Sequence, residues 1–91
     1  MCERIERMYE QFTGSPPKYQ NIMNRLPARD KPARERIPVQ ARIVWEYDGE
    51  QWKGGHAIRL DPDGPAIYVE FLDKRNKFTG AWLHPDDVKW D

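Results

Sequence analysis

Hydrophobic and polar residues alternate one by one at the start of the second half of the chain. Between residues 39 and 47 the inward face carries Val39, Ala41, Ile43, Trp45 and Tyr47. This period of two predicts a half-buried β-strand. Four more short segments of strand character follow, over residues 51 to 60, 66 to 72, 78 to 83 and 88 to 90. Five such strands, separated by turn residues, predict a mainly β fold and favour a small barrel.

The residues between these segments are typical of turns. Asp48-Gly49 is a hairpin signal, Asp61 to Pro65 is a Pro- and Gly-rich turn, and residues 84 to 87 predict a one-turn helix before the last strand. Gly54-Gly55, inside the second segment, predicts a bulge or a sharp bend that would help to close a barrel. In the third segment, Ile67, Val69 and Phe71 share one face.

The first 26 residues have a different period. Ile5, Met8, Tyr9 and Phe12 follow the helical spacing i, i+3, i+4, i+7, and Tyr19, Ile22, Met23 and Leu26 repeat it after a Gly-Ser-Pro-Pro break. We therefore expect two short amphipathic α-helices, over residues 2 to 12 and 16 to 26, in a helical N-terminal segment (1–26). Helices this short need a surface to pack on, which could be each other, the barrel or a second chain, so oligomerisation through them is one expectation.

Residues 27 to 38 contain three prolines and mostly charged side chains. This composition is typical of an extended linker. It places a domain boundary between the helical segment and a barrel over residues 39 to 91.

Charge and composition narrow the class of protein. The 91 residues carry 15 basic and 15 acidic side chains, so net charge gives no argument for nucleic acid or a membrane. The charges are uneven: residues 1 to 44 hold nine basic and five acidic side chains, and residues 45 to 91 hold six and ten. One cysteine, Cys2, and charged residues near the start indicate a soluble cytoplasmic chain with no signal peptide or membrane span.

Residues 39 to 90 resemble an SH3-like small barrel of the Tudor type. The resemblance is carried by the strand from Ala41 to Trp45, the Asp48-Gly49 turn leading to Trp52, the Ala57-Ile58-Arg59 stretch, and the closing run from Trp82 to Val88. It implies a five-stranded SH3-like barrel, here preceded by two short helices. It also implies binding of peptides, modified side chains or nucleic acid at loops and strand ends, functions that many unrelated modules of this shape share.

Aromatic residues are the first candidates for a binding site. Modules that read methylated lysine or arginine surround the cation with aromatic rings, whose faces attract positive charge. The candidates near the first hairpin and the third strand are Trp45, Tyr47, Trp52, Tyr68 and Phe71. A small core needs large side chains, so the same residues could simply fill it. Because Tyr68 and Phe71 fall on opposite faces by alternation, Tyr68 is the first choice for a contact residue.

Basic residues give the alternative. A stripe along the second helix and the linker comprises Arg25, Arg29, Lys31, Arg34 and Arg36, and flexible basic arms bind phosphates. Asp30 and Glu35 interrupt the stripe, so a solvated linker is the competing interpretation.

The sequence gives little for catalysis or metal binding. His56 and His84 are far apart along the chain with no ligand at metal-binding spacing, and neither Ser15 nor Cys2 lies in a nucleophile motif. We therefore expect no enzyme, catalytic residue, metal or cofactor. The leading hypothesis is a non-enzymatic binding or regulatory protein that recognises another protein or peptide through an acidic, aromatic surface. An accessory or inhibitor protein of phage or mobile-element type would fit this size. The alternative is a nucleic-acid-binding module that uses the basic arm 25–36.

Overall fold

The computed structural model describes residues 19–76 and 78–90, and these form a five-stranded antiparallel sheet. The strands are β1 (Ile37–Trp45), β2 (Gly49–Asp61), β3 (Ala66–Glu70), β4 (Gly80–Leu83) and β5 (Val88–Trp90), with a 3₁₀ turn at Pro85–Asp87 before β5. Their order across the sheet is β4-β3-β2-β1-β5. In the described part of the chain β4 and β5 are the two edges and do not pair with each other, so the sheet is not closed. The mainly β class and the five strands are confirmed.

The strand β2 joins the two halves of the sheet because it is long enough to pair on both sides. Its first part pairs with β1, from Gly49 opposite Trp45 to Ala57 opposite Ile37, and its second part pairs with β3. The pairing with β3 is irregular between Ala57 and Arg59. The irregularity predicted at Gly54-Gly55 therefore lies a few residues further along. At Gly55 the structure has a close backbone approach to Glu70 instead.

Alternation along β1 and β3 builds the hydrophobic core. The buried cluster contains residues from all five strands: Val39, Ala41, Ile43 and Trp45 from β1, Ala57 from β2, Ile67 and Val69 from β3, Ala81 and Leu83 from β4, and Val88 from β5. Phe71, which directly follows β3, belongs to it too. Tyr47 does not join this face, contrary to the expectation from alternation. The strand ends at Trp45, and Tyr47 lies in the hairpin turn with 66% of its surface exposed. Gly49, with a φ of 77°, follows the turn and allows the chain to enter β2.

The predicted second helix does not form over the described residues 19–26. Their backbone instead makes isolated bridges, Ile22 opposite Trp45 on β1 and Leu26 opposite Trp82 on β4, and Ile22 is 5% exposed inside the core cluster. A short helix is marginal by itself, and here the backbone hydrogen-bonds to two strands instead. The first predicted helix, residues 2 to 12, and the start of the second lie outside the described residues.

Residue Asn24 fixes this segment against β1 through its side chain. Its Nδ2 donates to the Arg42 carbonyl at 2.8 Å and its Oδ1 accepts from the Val44 N–H at 3.0 Å. Beside it, Met23 N–H donates to the Val44 carbonyl at 2.7 Å. Because β5 covers β1 only from Val39 to Ala41, these bonds satisfy backbone groups of β1 that no strand reaches.

Candidate functional site

The five aromatic candidates do not converge. Trp45 and Phe71 are buried in the core cluster. The Nε1 of Trp45 donates to Gln51 Oε1 at 3.1 Å, and the guanidinium of Arg75 lies 4.4 Å from the centre of a Trp45 ring. The ring face that a ligand cation would need is therefore covered by a cation of the chain itself.

Arg75 is held in this place by an acidic partner. It donates to both oxygens of Asp73, at 2.9 Å and 2.7 Å, and Lys53 Nζ lies 2.9 Å from the same carboxylate. The hydrogen bonds from Arg75, followed by those from Lys53, hold the pKa of Asp73 well below its usual range, although burial opposes the shift. The same pairing raises the pKa of Arg75. We interpret the group as a structural clamp for the loop between β3 and β4.

The other three aromatic candidates lie on separate surfaces. Tyr47 is exposed in the hairpin turn. Trp52 points away from the core, 39% exposed, with Lys89 Nζ 4.3 Å from its ring centre. Tyr68 packs edge to face on Trp82, with ring centres 5.5 Å apart, and the Arg59 guanidinium lies 5.8 Å from its ring. In the described residues the five candidates thus lie at separate places and form no cage.

Most of the basic candidates are paired with acids. Arg29 Nε lies 3.0 Å from Asp61 Oδ2, and Lys31 Nζ lies 3.9 Å from the other oxygen of Asp61. Arg36 forms an ion pair with Glu70. Arg25 instead lies over the Phe78 ring at 4.8 Å. These partners attach the predicted linker to the sheet and neutralise part of the basic stripe.

Asp61, at the end of β2, is the main anchor. It is buried, and its Oδ1 accepts from the backbone N–H groups of Asp63 and Gly64, at 3.2 Å and 3.4 Å. Burial by itself raises the pKa of Asp61. The two N–H donors and the cations Lys31 and Arg29 outweigh burial, so the pKa lies below the usual value. The carboxylate is therefore kept ionised. It ties the turn after β2 to Arg29 and Lys31, which precede β1 in the chain.

The irregularity in β2 positions Arg34. Ile58 is the extra residue between the pairs Ala57–Val69 and Arg59–Tyr68, and a bulge leaves such a residue without a ladder partner. Its carbonyl accepts from the Arg34 backbone N–H at 2.6 Å. The side chain of Arg34, in contrast, has no partner in the described part of the chain and is exposed.

Two apolar pockets meet beside Arg34. The first has a volume of about 150 Å³, and its apolar lining is Ile37, Ala57, Ile58, Leu60 and Trp90. The second has a volume of about 240 Å³, and its apolar lining is Leu60, Pro62, Pro65, Ala66, Ile67 and Pro85. Arg34 and Leu60 line both. We refer to this pair as the two-pocket groove. Its entrance is apolar too, because Trp90 is 49% and Ile37 38% exposed.

A larger groove, of about 540 Å³, is lined by Gly55 and His56 of β2 and by Glu70 and Phe71, among others. Its polar residues are already engaged: Arg36 pairs with Glu70 and lies 3.3 Å from His56 Nδ1. His84, the second histidine, caps the 3₁₀ turn, where its Nδ1 accepts from the Asp86 N–H at 3.1 Å. In the residues that the structure describes, no three metal-ligating side chains come together.

Sequence reasoning missed the two-pocket groove. In the sequence, its prolines indicate only turns, and Trp90 indicates only the end of the last strand. The groove combines the end of β2, the start of β1, the start of β3, the end of β5 and the turn at Pro85, which are distant along the chain. The available signal was Trp90 and Ile37, large apolar residues at strand ends where burial is incomplete.

No protein-family model, curated protein or solved structure matches the chain. Among the described residues, no helix is long and apolar enough to cross a membrane.

Proposed function

We propose that the protein is a small binding protein that recognises a segment of another protein in the two-pocket groove. The observation that carries this proposal is the presence of Trp90 and Arg34 on one groove with two apolar pockets. Tryptophan and arginine are enriched among the residues that dominate binding energies. Exposed apolar surface around concave pockets is typical of interaction sites.

The fold supports the same conclusion. The strand order β4-β3-β2-β1-β5 and the 3₁₀ turn before the last strand are compatible with an SH3-like barrel, and Ile22 and Leu26 form isolated bridges to β1 and β4. The resemblance to such barrels implies recognition at loops and strand ends, and the two-pocket groove lies at strand ends.

The surface around Trp52 and Tyr68 is the competing location. Trp52 is opposite Arg42 in the pairing of β1 with β2, so it lies on the face away from the core cluster. Lys89 covers part of its ring and Trp82 packs on Tyr68, which leaves less free aromatic area there than at Trp90.

Peptide selection with two tryptophan variants tests the proposal. Peptides selected on the wild-type protein from a displayed random library are measured against Trp90→Ala and Trp52→Ala, both half-exposed tryptophans of the same sheet. We expect affinity to fall about tenfold or more with Trp90→Ala, the range of an interface hot spot, and to stay nearly unchanged with Trp52→Ala. Thermal melts of both variants exclude unfolding as the cause.

The reverse pattern would assign binding to the Trp52 and Tyr68 surface. Failure to select any peptide would contradict recognition of an extended segment. The nucleic-acid alternative has its own signature, an affinity for DNA or RNA that decreases steeply as salt increases. The ion pairs of Arg29, Lys31 and Arg36 weigh against it.

A further inference from the structure

We infer that the segment bound in the two-pocket groove is acidic, with an aspartate or glutamate held by Arg34 and an apolar side chain on each side of it. This inference rests on the proposed function and specifies the chemistry of the partner at that same groove.

Among the described residues 29–36, Arg34 is the basic residue whose side chain has no partner. Arg29 and Lys31 share Asp61, and Arg36 pairs with Glu70, whereas the Arg34 side chain has no partner within the described residues. A guanidinium presents donors in a planar fork that matches a carboxylate. A carboxylate is therefore a group that this side chain is well suited to bind.

The backbone around Arg34 is fixed before any partner arrives. Its N–H donates to the Ile58 carbonyl. Three residues earlier, the Lys31 carbonyl accepts a hydrogen bond from Arg59 Nη1 at 2.7 Å. The Arg36 ion pair follows two residues later. Anchoring on both sides lowers the entropy that binding must remove, so Arg34 can act as an oriented donor between the two pockets.

Charge around the groove favours an acidic partner. The ionised side chains that line it or pair with its lining are Arg29, Lys31, Arg34, Arg59, Glu35 and Asp61. Four of these are cations and two are anions, a local net charge of +2. The second half of the chain is acidic, so this end of the sheet differs from its surroundings. A local positive potential attracts acidic segments and repels basic ones.

The pockets set what flanks the carboxylate. At about 150 Å³ and 240 Å³, both are below the roughly 300 to 1,000 Å³ of small-molecule sites. Each therefore suits one apolar side chain. Their position on either side of Arg34 and Leu60 places an apolar residue on each side of the bound acid.

The inference is tested with synthetic peptide mixtures of defined chemistry. Each mixture has one fixed central residue, Glu, Gln, Asp, Asn or Lys, flanked on both sides by positions randomised among Leu, Ile, Val, Phe and Trp within a soluble polar frame. Binding of the fluorescent mixtures to the full chain is measured by polarisation at low and at physiological salt. We expect the Glu or Asp mixtures to bind about tenfold more tightly than their Gln or Asn isosteres, and the Lys mixture to bind weakest.

Two substitutions and one matched control separate this inference from the proposed function. Arg34→Gln should remove the preference for Glu over Gln and leave the melting temperature unchanged, because the side chain has no partner to lose. Arg25→Gln is the matched control, since it removes the same charge near Phe78 and should keep the preference. Trp90→Ala should weaken all mixtures.

The outcomes are distinct. If all mixtures bind equally, lose affinity with Trp90→Ala and ignore Arg34→Gln, the inference is overturned and the proposed function stands. If no mixture binds, or if binding ignores Trp90→Ala, both are overturned. Self-association of the chain that Trp90→Ala abolishes, measured by sedimentation, would identify a second copy as the occupant and would also overturn the inference.

Discussion

A methyl group added at Gly55 should destabilise the protein, whereas the same group at Gly54 should not. The Cβ of an alanine at residue 55 would lie 2.5 Å from the Glu70 carbonyl oxygen and 3.1 Å from both Phe71 Cβ and Val69 Cγ1. These distances are well inside van der Waals contact, and the first neighbour is backbone of the paired strand. At residue 54 the nearest atom is the Gln40 Nε2, at 3.6 Å, an ordinary contact with a flexible side chain.

The expected loss of stability of Gly55→Ala depends on which atoms must move to relieve the overlap. Overpacking that shifts backbone costs about 1 to 3 kcal/mol, so Gly55→Ala should lower the free energy of unfolding by that amount. In a domain of this size each kcal/mol corresponds to about 4 to 8 °C in Tm. Gly54→Ala should stay within about 0.5 kcal/mol of the wild type.

Thermal and urea unfolding, followed by circular dichroism, measure both variants under one set of conditions. Equal m-values would show that the comparison concerns the folded state. If Gly55→Ala melts with the wild type, or if Gly54→Ala is the more destabilised of the two, β2 and β3 do not approach each other at Gly55 as described, and the reasoning is refuted.

Three further predictions concern the contacts that hold the residues before β1 and the loops against the sheet. Asn24→Ala should lower the free energy of unfolding by about 1 to 3 kcal/mol, because it leaves backbone groups of β1 without partners. Asn21→Ala, at an exposed neighbour, should change this free energy little. Equal urea midpoints for the two variants would contradict the prediction. Stability should be constant above about pH 5 and fall as the pH drops below about 4, since the lowered pKa values of Asp73 and Asp61 mean that the unfolded chain takes up protons first. Asp73→Asn should flatten this acid dependence in pH-dependent melts, and an unchanged slope would argue against the clamp. A fragment of residues 37–91 lacks the buried Ile22 and should be less stable than the full chain by about 2 to 5 kcal/mol, the effect of removing a large core side chain; equal stability would show that the core is complete without it.

The strands could be predicted because their signals are local. The alternation of Val39, Ala41 and Ile43 gives the buried face of β1 directly, and Ile67, Val69 and Phe71 do the same for the third strand and the residue after it. The Asp48-Gly49 signal places the first hairpin because its geometry needs a residue at positive φ. In each case a few adjacent residues determine both the backbone shape and the side that is buried.

The second helix could not be judged from its own residues. The spacing of Tyr19, Ile22, Met23 and Leu26 is helical, but Ile22 enters a core built by strands that begin more than ten residues later. Backbone bonds to β1 and β4 replace those of a helix, and a tertiary effect of this kind overrides local propensity. Nothing near Ile22 in the sequence announces these partners.

The candidate site shows the same limit. Aromatic residues close together in sequence are the natural candidates, but Trp45 lies in the core and Trp52 on the opposite face of the sheet. The two-pocket groove depends on a bulge at Ile58 and on Trp90 lying beside Ile37 and Leu60. The bulge has no local signal, and nothing local shows that Trp90 and Ile37 share a groove. Proximity in three dimensions, rather than residue type, defines this site.

The bonds of Asn24 also impose an order on folding. Its Nδ2 lies 3.1 Å from Asp87 Oδ2, a residue 63 positions later in the chain, and Leu26 donates to Trp82 on β4. During synthesis the segment around Asn24 emerges before all of these partners. Arg42 and Val44 of β1 follow soon after it, but Trp82 and Asp87 emerge only after β3. The β1–β2 hairpin, whose strands are adjacent in the chain, has only a short loop to close. The contacts of Asn24 with Asp87 and of Leu26 with Trp82 close a much longer loop, at a larger cost in chain entropy. The contacts of Asn24 with Asp87 and of Leu26 with Trp82 are thus among the last to form. Until the segment docks on β1, the edge from Arg42 to Trp45 stays open to pairing with another chain.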